Sequence, residues 1–354
     1  MKILMVHSTE KVSGGENVSL NIARSLKEEF SFCFFAPAEP ISKDKFDGFS
    51  VFYPKNGGLV NSVIELKKVI REQKPDLVHA QGTRAAMFVK FAFISGTKKI
   101  KFLYTLHGIH FINRPFPLDF ISVIYERLTN CFVSGLICVG KDDFDLARRL
   151  RLIRSGRLFL IDNGINIKTE VADKTTAEEV IVSVSRLHYQ KDIGSLIKAA
   201  YLLNNKDVKF LIVGDGPERK ELEKLTEKLD LKGRVDFLGN REDVGRILSL
   251  SDVFVLSTNW EGQPLVILEA WASKKPVVAS NVHGVKDLVE NGKTGLLFRH
   301  KDPADLANKI DYLLDNKEVA KRMGENGYNL VKSKYTTSIM SENYQMLYKE
   351  TLND

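Results

Sequence analysis

The stretch VIVSVSRLHYQKDIGSLIKAAYLLNNKDVKFLIVGDG, residues 180–216, decides the fold. It opens with the strand-like run VIVSVSRL, continues with apolar residues at helical spacing in DIGSLIKAAYLL, and ends with the strand-like run VKFLIVGDG. Runs that are apolar throughout are typical of strands buried on both faces, and strand–helix–strand order is typical of a parallel sheet. The stretch therefore predicts a βαβ unit of a doubly wound α/β domain.

The same alternation extends along the chain in both directions. Short apolar runs alternate with helical patterns from residue 2 to residue 162 and again from residue 180 to residue 281, and further helical patterns follow. Residues 163–179 are polar and lack apolar periodicity, so we interpret them as a linker. With 354 residues the chain is long enough for two domains. We predict two Rossmann-like domains, residues 1–166 and 167–335, that face each other across a cleft.

Charge is distributed unevenly between the two halves. Residues 1–166 contain 24 Lys and Arg and 16 Asp and Glu, which gives this half a net charge of +8 (24 − 16). This exceeds the net charge of +7 of the whole chain, so the entire positive excess lies in the first half. A basic half can attract nucleic acid, an anionic membrane or an acidic substrate, and the alternative is a solvated surface without a partner. No apolar run could span a bilayer, and no signal peptide opens the sequence. Three cysteines without a CxxC pair indicate buried thiols in a reducing cytosol.

A glycine-rich loop follows the first predicted strand. It reads EKVSGGE, residues 10–16, and opens a predicted helix. Gly14 and Gly15 would let the backbone approach a phosphate at the helix N-terminus. The loop lacks the GxGxxG spacing of a dinucleotide site, and an ordinary strand-to-helix turn is an equally good interpretation.

Two cations follow the strand that begins at residue 180. Arg186 and Lys191 lie five residues apart in one loop. Arg can bind phosphate oxygens with two parallel hydrogen bonds, and Lys acts as a point charge. The pair therefore predicts a site for one dianion, and the alternative is two solvated surface cations.

The segment EGQPLVILE, residues 261–269, gives the strongest local signal. Pro264 suits the first position of a helix. The amide groups of Leu265 and Val266 would then have no partners within the helix, which makes them an anion site. The segment predicts that a phosphate binds at this helix start.

Two carboxylates flank that helix start. Glu269 lies one turn deeper, where it can accept hydrogen bonds from both hydroxyls of a ribose, and Glu261 can reach the group beyond the phosphates. Their separation matches the length of a nucleoside-diphosphate sugar. The alternative is that both acids only complement the helix dipole.

His107 and the following Gly108 end another predicted strand of the first half. The histidine is expected to project into the cleft and bind a sugar hydroxyl, although a lone histidine is often structural. Asp143-Phe144-Asp145 is similar to the DxD motif of metal-dependent sugar transferases, but it falls in a helical pattern. The sequence contains neither HExxH, GxSxG nor GxxxxGK[ST], so we expect neither a zinc site, a serine hydrolase nor a P-loop.

Together these motifs resemble glycosyltransferase family four, whose members have the GT-B fold. The resemblance covers nearly the whole chain and rests on the following matches: Glu-x7-Glu at Glu261 and Glu269, Arg-x4-Lys at Arg186 and Lys191, Gly-x-Gly in LIVGDGP (211–217), FLG at Phe237-Leu238-Gly239, His107-Gly108 and Asn163-Gly164-Ile165-Asn166. One departure is Ser13, which stands where the family often has the first glycine of Gly-Gly-x-Glu.

The resemblance implies a retaining, metal-independent transfer from a nucleoside-diphosphate sugar, with UDP as the expected nucleotide and no cofactor. It implies catalytic roles for His107 and Glu261. It implies diphosphate binding by Gly14, Gly15, Arg186, Lys191, Leu265 and Val266, and nucleoside binding by Glu269, Leu238 and Gly239. It also implies that the final segment, residues 336–354, forms a helix that crosses back onto the first domain.

The acceptor is expected on the basic first domain. Residues 111–117 (FINRPFP), together with Phe88, Lys90, Phe91 and Phe93 and Lys98, Lys99 and Lys101, mix aromatic and basic side chains. This mixture predicts peripheral contact with an anionic membrane and a glycan or lipid-linked acceptor at the inner face of the cytoplasmic membrane, without nucleic acid. The alternative is that the aromatic residues are core. Two other functions stay open, a sugar-nucleotide epimerase of the same fold and a non-catalytic nucleotide-sugar binder.

Overall fold

The structure is a computed structural model, and it describes residues 1–7, 9, 14–38, 43–55, 58–94, 100–109, 111, 116–167 and 178–353. The chain divides into two compact units. Unit 1 comprises Met1–Gly164 and Thr337–Asp354, and unit 2 comprises Ile165–Thr336. Most of the predicted linker, residues 168–177, lies outside the described residues, as do residues 10–13 of the first loop.

Unit 1 contains a seven-stranded parallel sheet with the order β3-β2-β1-β4-β5-β6-β7. Its strands are β1 Lys2–Val6, β2 Ser31–Phe35, β3 Ser50–Phe52, β4 Leu77–Gln81, β5 Lys101–Leu106, β6 Gly135–Cys138 and β7 Leu158–Leu160. The connecting helices are α1 Gly14–Leu26, α2 Leu59–Gln73, α3 Thr83–Ile94, α4 Leu118–Thr129 and α5 Lys141–Arg149. All five residues of β4 are buried, as expected for a strand covered by helices on both faces.

Unit 2 contains a six-stranded parallel sheet with the order β10-β9-β8-β11-β12-β13. Its strands are β8 Val180–Val184, β9 Lys209–Val213, β10 Val235–Gly239, β11 Val253–Leu256, β12 Val277–Ser280 and β13 Gly295–Phe298. Its helices are α6 Ile193–Leu202, α7 Arg219–Lys228, α8 Val244–Leu250, α9 Leu265–Ala272, α10 Pro303–Asp315 and α11 Lys317–Lys334. Strand β13 is absent from the sequence-based prediction, because its four residues GLLF are too short a run to separate from the flanking turns.

The last helix, α12 Thr337–Asn353, belongs to unit 1. Tyr344 and Tyr348 of α12 are fully buried there, and the Tyr348 ring meets the Phe30 ring edge-on. Lys349 forms an ion pair with Glu29 after α1, with 2.7 Å between Nζ and Oε2. The C-terminal segment is therefore part of the core of unit 1.

The strand order reverses once in each sheet, between β1 and β4 in unit 1 and between β8 and β11 in unit 2. Ligands of open α/β sheets bind beyond the carboxyl ends of the strands at such a reversal. The loops after these strands carry the residues that the sequence singles out.

Candidate functional site

Two loops at the carboxyl edge of the unit 2 sheet are bound tightly to each other. The Ser185 amide donates to the Val213 carbonyl over 2.9 Å, and the Leu187 amide donates to the Asp215 carbonyl over 3.0 Å. Gly214 has φ +123°, and a Cβ there would lie 2.0 Å from the Ser185 carbonyl oxygen. Only glycine permits this approach, so the loop that carries Arg186 is held in place by the loop after β9.

The turn that carries Lys191 is fixed by the loop after β11. The Gln190 carbonyl accepts hydrogen bonds from the Asn259 amide over 2.7 Å and from Thr258 Oγ1 over 2.9 Å. The Gln190 side chain donates through Nε2 to the Trp260 carbonyl over 2.9 Å. Backbone and side chain therefore lock the two loops on either side of the strand reversal together.

Lys191 and Glu261 meet directly at this point. Lys191 Nζ lies 2.5 Å from Glu261 Oε1, and their side chains are 18% and 9% exposed. The Glu261 amide donates to the His283 carbonyl over 3.1 Å, and Gly284 approaches so closely that a Cβ there would lie 2.2 Å from the Glu261 carbonyl oxygen. The pair holds one cation and one carboxylate at a fixed position, where an anion can share the ammonium group.

The start of α9 differs slightly from the sequence-based prediction. Pro264 precedes the helix as its N-cap, with φ −73° and ψ 110°, whereas we predicted it at the first helical position; Leu265 is the first helical residue. No side chain caps this N-terminus. The amides of Leu265 and Val266 are thus the first two of the helix, and the dipole of α9 favours an anion there.

Arg186 is the second predicted cation of the phosphate site. The structure leaves it exposed, and it forms no ion pair with any residue that the structure describes. The backbone of its loop is held by hydrogen bonds to the loop after β9, whereas its side chain is exposed to solvent.

Glu269 lies one turn into α9 and is half-buried. Burial raises its pKa above the ordinary value of a glutamate. Within the described ranges, no hydrogen-bond donor or cation of the protein compensates its carboxylate. A partly buried carboxylate whose pKa is raised and which no protein group compensates is a candidate for binding a ligand.

The uncompensated carboxylate of Glu269 can be tested with the substitution Glu269→Gln. Because the folded-state pKa is raised, the ionised carboxylate costs stability at neutral pH, and this cost vanishes below about pH 4, where the acid is protonated in both states. The amide should therefore raise the melting temperature of the free protein at pH 8 but not at pH 4, while weakening UDP binding. Thermal melts and calorimetric titration would show this, with the exposed Glu221→Gln as control. Equal melting temperatures at pH 8 together with unchanged UDP affinity would contradict the assignment.

Leu238 and Gly239 end β10 at the same edge of the sheet. Gly239 has φ +66°, and its carbonyl accepts from the Gly214 amide over 2.7 Å. Leu238 is half-buried, and packs against the core of unit 2. The structure therefore connects the predicted nucleoside residues of β10 to the glycine loop after β9.

In unit 1, the structure brings together Gly15 and His107. His107 follows β5 and is half-buried, and a Cβ on Gly15 would lie 2.9 Å from His107 Nε2. Gly14 is exposed at the start of α1. Gly15 therefore lets the start of α1 pack against the imidazole. This contact explains why a glycine stands at position 15, whether or not a phosphate binds there.

His107 is oriented by a buried polar network that the sequence did not reveal. His107 Nε2–H donates to Gln81 Oε1 over 2.8 Å, and Gln81 Nε2 lies 3.3 Å from His79 Nε2. His79 contacts Thr105 Oγ1 through Nε2 and Tyr348 OH through Nδ1, each over 2.8 Å. The network links the predicted catalytic histidine to α12. Gln81 is followed by Gly82 at the end of β4, just as His107 is followed by Gly108 after β5. This shared polar-residue–glycine pattern at a strand end was the signal in the sequence that could have identified Gln81.

Two other histidines near His107 are held neutral. Burial is the main reason why the pKa of His7 falls to about 4 and that of His79 to about 3, and the charge of His107 lowers both further. His7 Nε2 contacts Ser19 Oγ over 2.6 Å. These neutral rings serve as hydrogen-bonding groups at neutral pH.

Asp143 of the DxD-like segment lies on α5 and is fully buried, and its Oδ1 accepts from the Ile109 amide over 3.0 Å. Its role is to hold the backbone after His107. Among the described residues, no cluster of three or more His, Cys, Asp or Glu side chains has the arrangement of a metal site.

Some described members of the predicted membrane-contact surface face the interior of unit 1, and others are exposed. Phe88, Lys90 and Phe111 are buried, and Phe93 packs against the core of unit 1. Phe91 and Phe116 are exposed. Lys98, Lys99 and residues 112–115 lie outside the described residues. None of the helices in the described part of the chain has the length and apolar character needed to cross a bilayer.

Comparison with known proteins agrees with this architecture. The family model described as "Glycosyltransferase Family 4" matches residues 12–169, and that described as "Glycosyl transferases group 1" matches residues 165–330. Among solved structures, Alr3699/HepE from Anabaena in complex with UDP and glucose superposes with a TM-score of 0.87. It is 22% identical in sequence, and the match covers 99% of this chain and all of that one. This likeness concerns the fold.

Two curated relatives match over most of their length. The chain is 28% identical over 369 residues to UDP-Gal:alpha-D-GlcNAc-diphosphoundecaprenol alpha-1,3-galactosyltransferase of Escherichia coli, covering 94% of each protein. It is 27% identical over 292 residues to the lipopolysaccharide core biosynthesis glycosyltransferase LpsE of Rhizobium meliloti, covering 80% of this chain and 78% of the relative.

Proposed function

Since the chain belongs to the GT-B glycosyltransferases of family 4, we propose that it transfers a sugar, with retention of anomeric configuration, from a UDP-sugar to a lipid-linked glycan acceptor in cell-surface polysaccharide or lipopolysaccharide-type biosynthesis. The proposal makes it a metal-independent hexosyltransferase. The alpha-1,3 product named for the Escherichia coli relative supports retention, because UDP-galactose carries its sugar in the alpha configuration.

One arrangement carries the proposal. A 2.5 Å ion pair between Lys191 and Glu261, the uncapped start of α9 and the uncompensated carboxylate of Glu269 follow one another along the edge of the unit 2 sheet. A diphosphate would take the charge of Lys191 and the amides of Leu265 and Val266. The ribose hydroxyls would donate to Glu269, and the sugar would lie toward Glu261.

The chemistry follows from this placement. As the bond between the sugar and the diphosphate breaks, negative charge develops on the leaving phosphate. Lys191, Arg186 and the α9 amides stabilise that charge. The acceptor hydroxyl attacks the face from which the diphosphate leaves, and its proton passes to the departing phosphate. Glu261 holds donor-sugar hydroxyls, and His107, whose Nε2–H donates to Gln81, is kept in the proposal as a second ligand of the donor sugar.

A lipid-linked acceptor is part of the same proposal, and with it peripheral contact with an anionic membrane at the inner face of the cytoplasmic membrane. The diphosphoundecaprenol acceptor named for the Escherichia coli relative supports it, as does the positive charge of unit 1.

The test is product analysis with purified protein. UDP-, GDP- and ADP-sugars are offered with and without a lipid-linked acceptor extract, and the product is examined by proton NMR. We expect acceptor-dependent release of UDP and an alpha-linked product from an alpha-configured donor. An epimerase would convert the donor without acceptor, and a non-catalytic binder would leave every donor intact; either result would overturn the proposal.

A further inference from the structure

Helix α4 of unit 1 has its apolar side turned to solvent. Its exposed large side chains are Leu118, Phe120, Ile121, Ile124 and Leu128, and Phe116 immediately before the helix is 83% exposed. At 100° per residue, Phe120, Ile121, Ile124 and Leu128 fall within one arc of about 100°. A surface helix of a globular protein normally turns its apolar stripe toward the core. In α4 the apolar arc faces solvent instead.

The inward side of α4 carries a charge instead. Glu126 is buried and accepts a hydrogen bond from the buried Lys90 of α3, with 2.8 Å between Nζ and Oε2. The Tyr104 and Tyr125 rings lie 5.1 and 5.2 Å from Lys90 Nζ. Because a buried ion pair anchors the inward side, α4 cannot turn its apolar arc inward without exposing that pair's site to solvent.

The part of the chain that contains α4 is basic. Residues 83–160, which span α3 to β7, contain 13 Lys and Arg and 5 Asp and Glu. The acids of α4 itself lie off the arc, since Glu126 is buried and Asp119 is half-buried. Arg127, by contrast, is exposed beside the arc. An apolar helix side with an adjacent arginine, in a basic part of the chain, is complementary to an anionic bilayer.

A second copy of this chain fits the arc less well, because a symmetric contact would bring two basic regions together. From the reversed polarity of α4 and this charge, we propose that residues 116–128 form a membrane-docking surface that inserts Phe116, Phe120, Ile124 and Leu128 among the acyl chains of an anionic membrane. This inference rests on the proposed lipid-linked acceptor and goes further by naming the helix.

The matched variants are both triple substitutions in unit 1. Phe120→Ser/Ile124→Ser/Leu128→Ser removes three of the four apolar side chains of the α4 arc. Leu59→Ser/Val60→Ser/Ile64→Ser removes three comparably exposed side chains of α2. Since all six residues are on the surface, both variants should fold like the wild type, which circular dichroism and UDP binding would check.

The experiment is vesicle co-sedimentation of the full chain with phosphatidylcholine vesicles, with and without phosphatidylglycerol. We expect the wild type to bind only the anionic vesicles, more weakly in high salt, and the α4 variant to lose about 30-fold or more in partition coefficient. The α2 variant should stay within about twofold of the wild type. An environment-sensitive dye on Cys131, the exposed cysteine just after α4, should shift to the blue with anionic vesicles in the wild type.

Three results would overturn the docking surface: a wild type that does not bind anionic vesicles, an α4 variant that binds as well as the wild type, or a dimer that only the α4 substitutions dissociate in sedimentation velocity. The proposed function fails separately. With a water-soluble acceptor, the α4 variant should transfer sugar as fast as the wild type, whereas absence of transfer by the wild type would reject the function and leave the vesicle result standing.

Discussion

Glu261→Gln should lower the rate of sugar transfer at least about 100-fold while UDP still binds. The amide keeps the size of the side chain but removes the charge that would face the donor sugar. It also removes the carboxylate that now lies 2.5 Å from Lys191 Nζ. Because Lys191 is then no longer neutralised, UDP affinity should stay equal or rise. Lys191→Met should instead weaken UDP binding and transfer together.

Two measurements on the same preparations separate these outcomes. Calorimetric titration gives UDP affinity, and initial rates at saturating donor give transfer. Glu290→Gln is the matched control, because Glu290 is an exposed acid of unit 2 in a surface ion pair with Lys293. Transfer by Glu261→Gln within about threefold of the wild type would reject the catalytic role, and so would a loss explained entirely by weaker UDP binding.

Lys90→Met should destabilise unit 1 by about 3–5 kcal/mol. Burial lowers the pKa of Lys90 and raises that of Glu126, while each residue counteracts this shift in its partner, so the two ionised groups depend on each other. Removal of the ammonium leaves a carboxylate that is buried between α3 and α4 without its cation. The double variant Lys90→Met/Glu126→Leu replaces the ion pair by two apolar side chains and leaves no unpaired buried charge. Most of the stability lost in Lys90→Met should therefore return.

Urea unfolding can assign this loss to the correct unit. Both tryptophans, Trp260 and Trp271, lie in unit 2, so their fluorescence serves as an internal reference while circular dichroism follows both units. Lys141→Met is the control, since the exposed ion pair of Lys141 with Asp145 should contribute less than about 1 kcal/mol. A single variant as stable as the wild type, or a double variant no more stable than the single one, would contradict the anchoring role of this pair.

The fold was predictable because apolar runs and helical patterns alternate so regularly. The residues 180–216 become β8, α6 and β9 with boundaries shifted by one to a few positions. The loops at the strand ends were predictable for the same reason, and the structure brings Lys191, Glu261 and the start of α9 to one edge. The pairing of Lys191 with Glu261 could not be predicted, because the two residues are seventy positions apart and no periodicity relates them.

The surface of unit 1 could not be predicted from composition. Lys90 and Phe88 look like an aromatic and basic patch in the sequence, yet both are buried, since Lys90 finds its counterion on another helix. Likewise, α4 was predictable as a helix, but which side faces outward depends on that ion pair. The His79–Gln81–His107 network escaped detection because strand pairing between β4 and β5, not local spacing, brings these side chains together.

We propose that a nucleoside diphosphate binds at the carboxyl edge of the unit 2 sheet. Hydrogen exchange of the full chain, measured by mass spectrometry with and without UDP, tests this most directly. We expect slower exchange in peptides that cover residues 185–191 and 261–269, including the Leu265 and Val266 amides. Protection confined to other segments, or saturating UDP without any protection of these two, would contradict it.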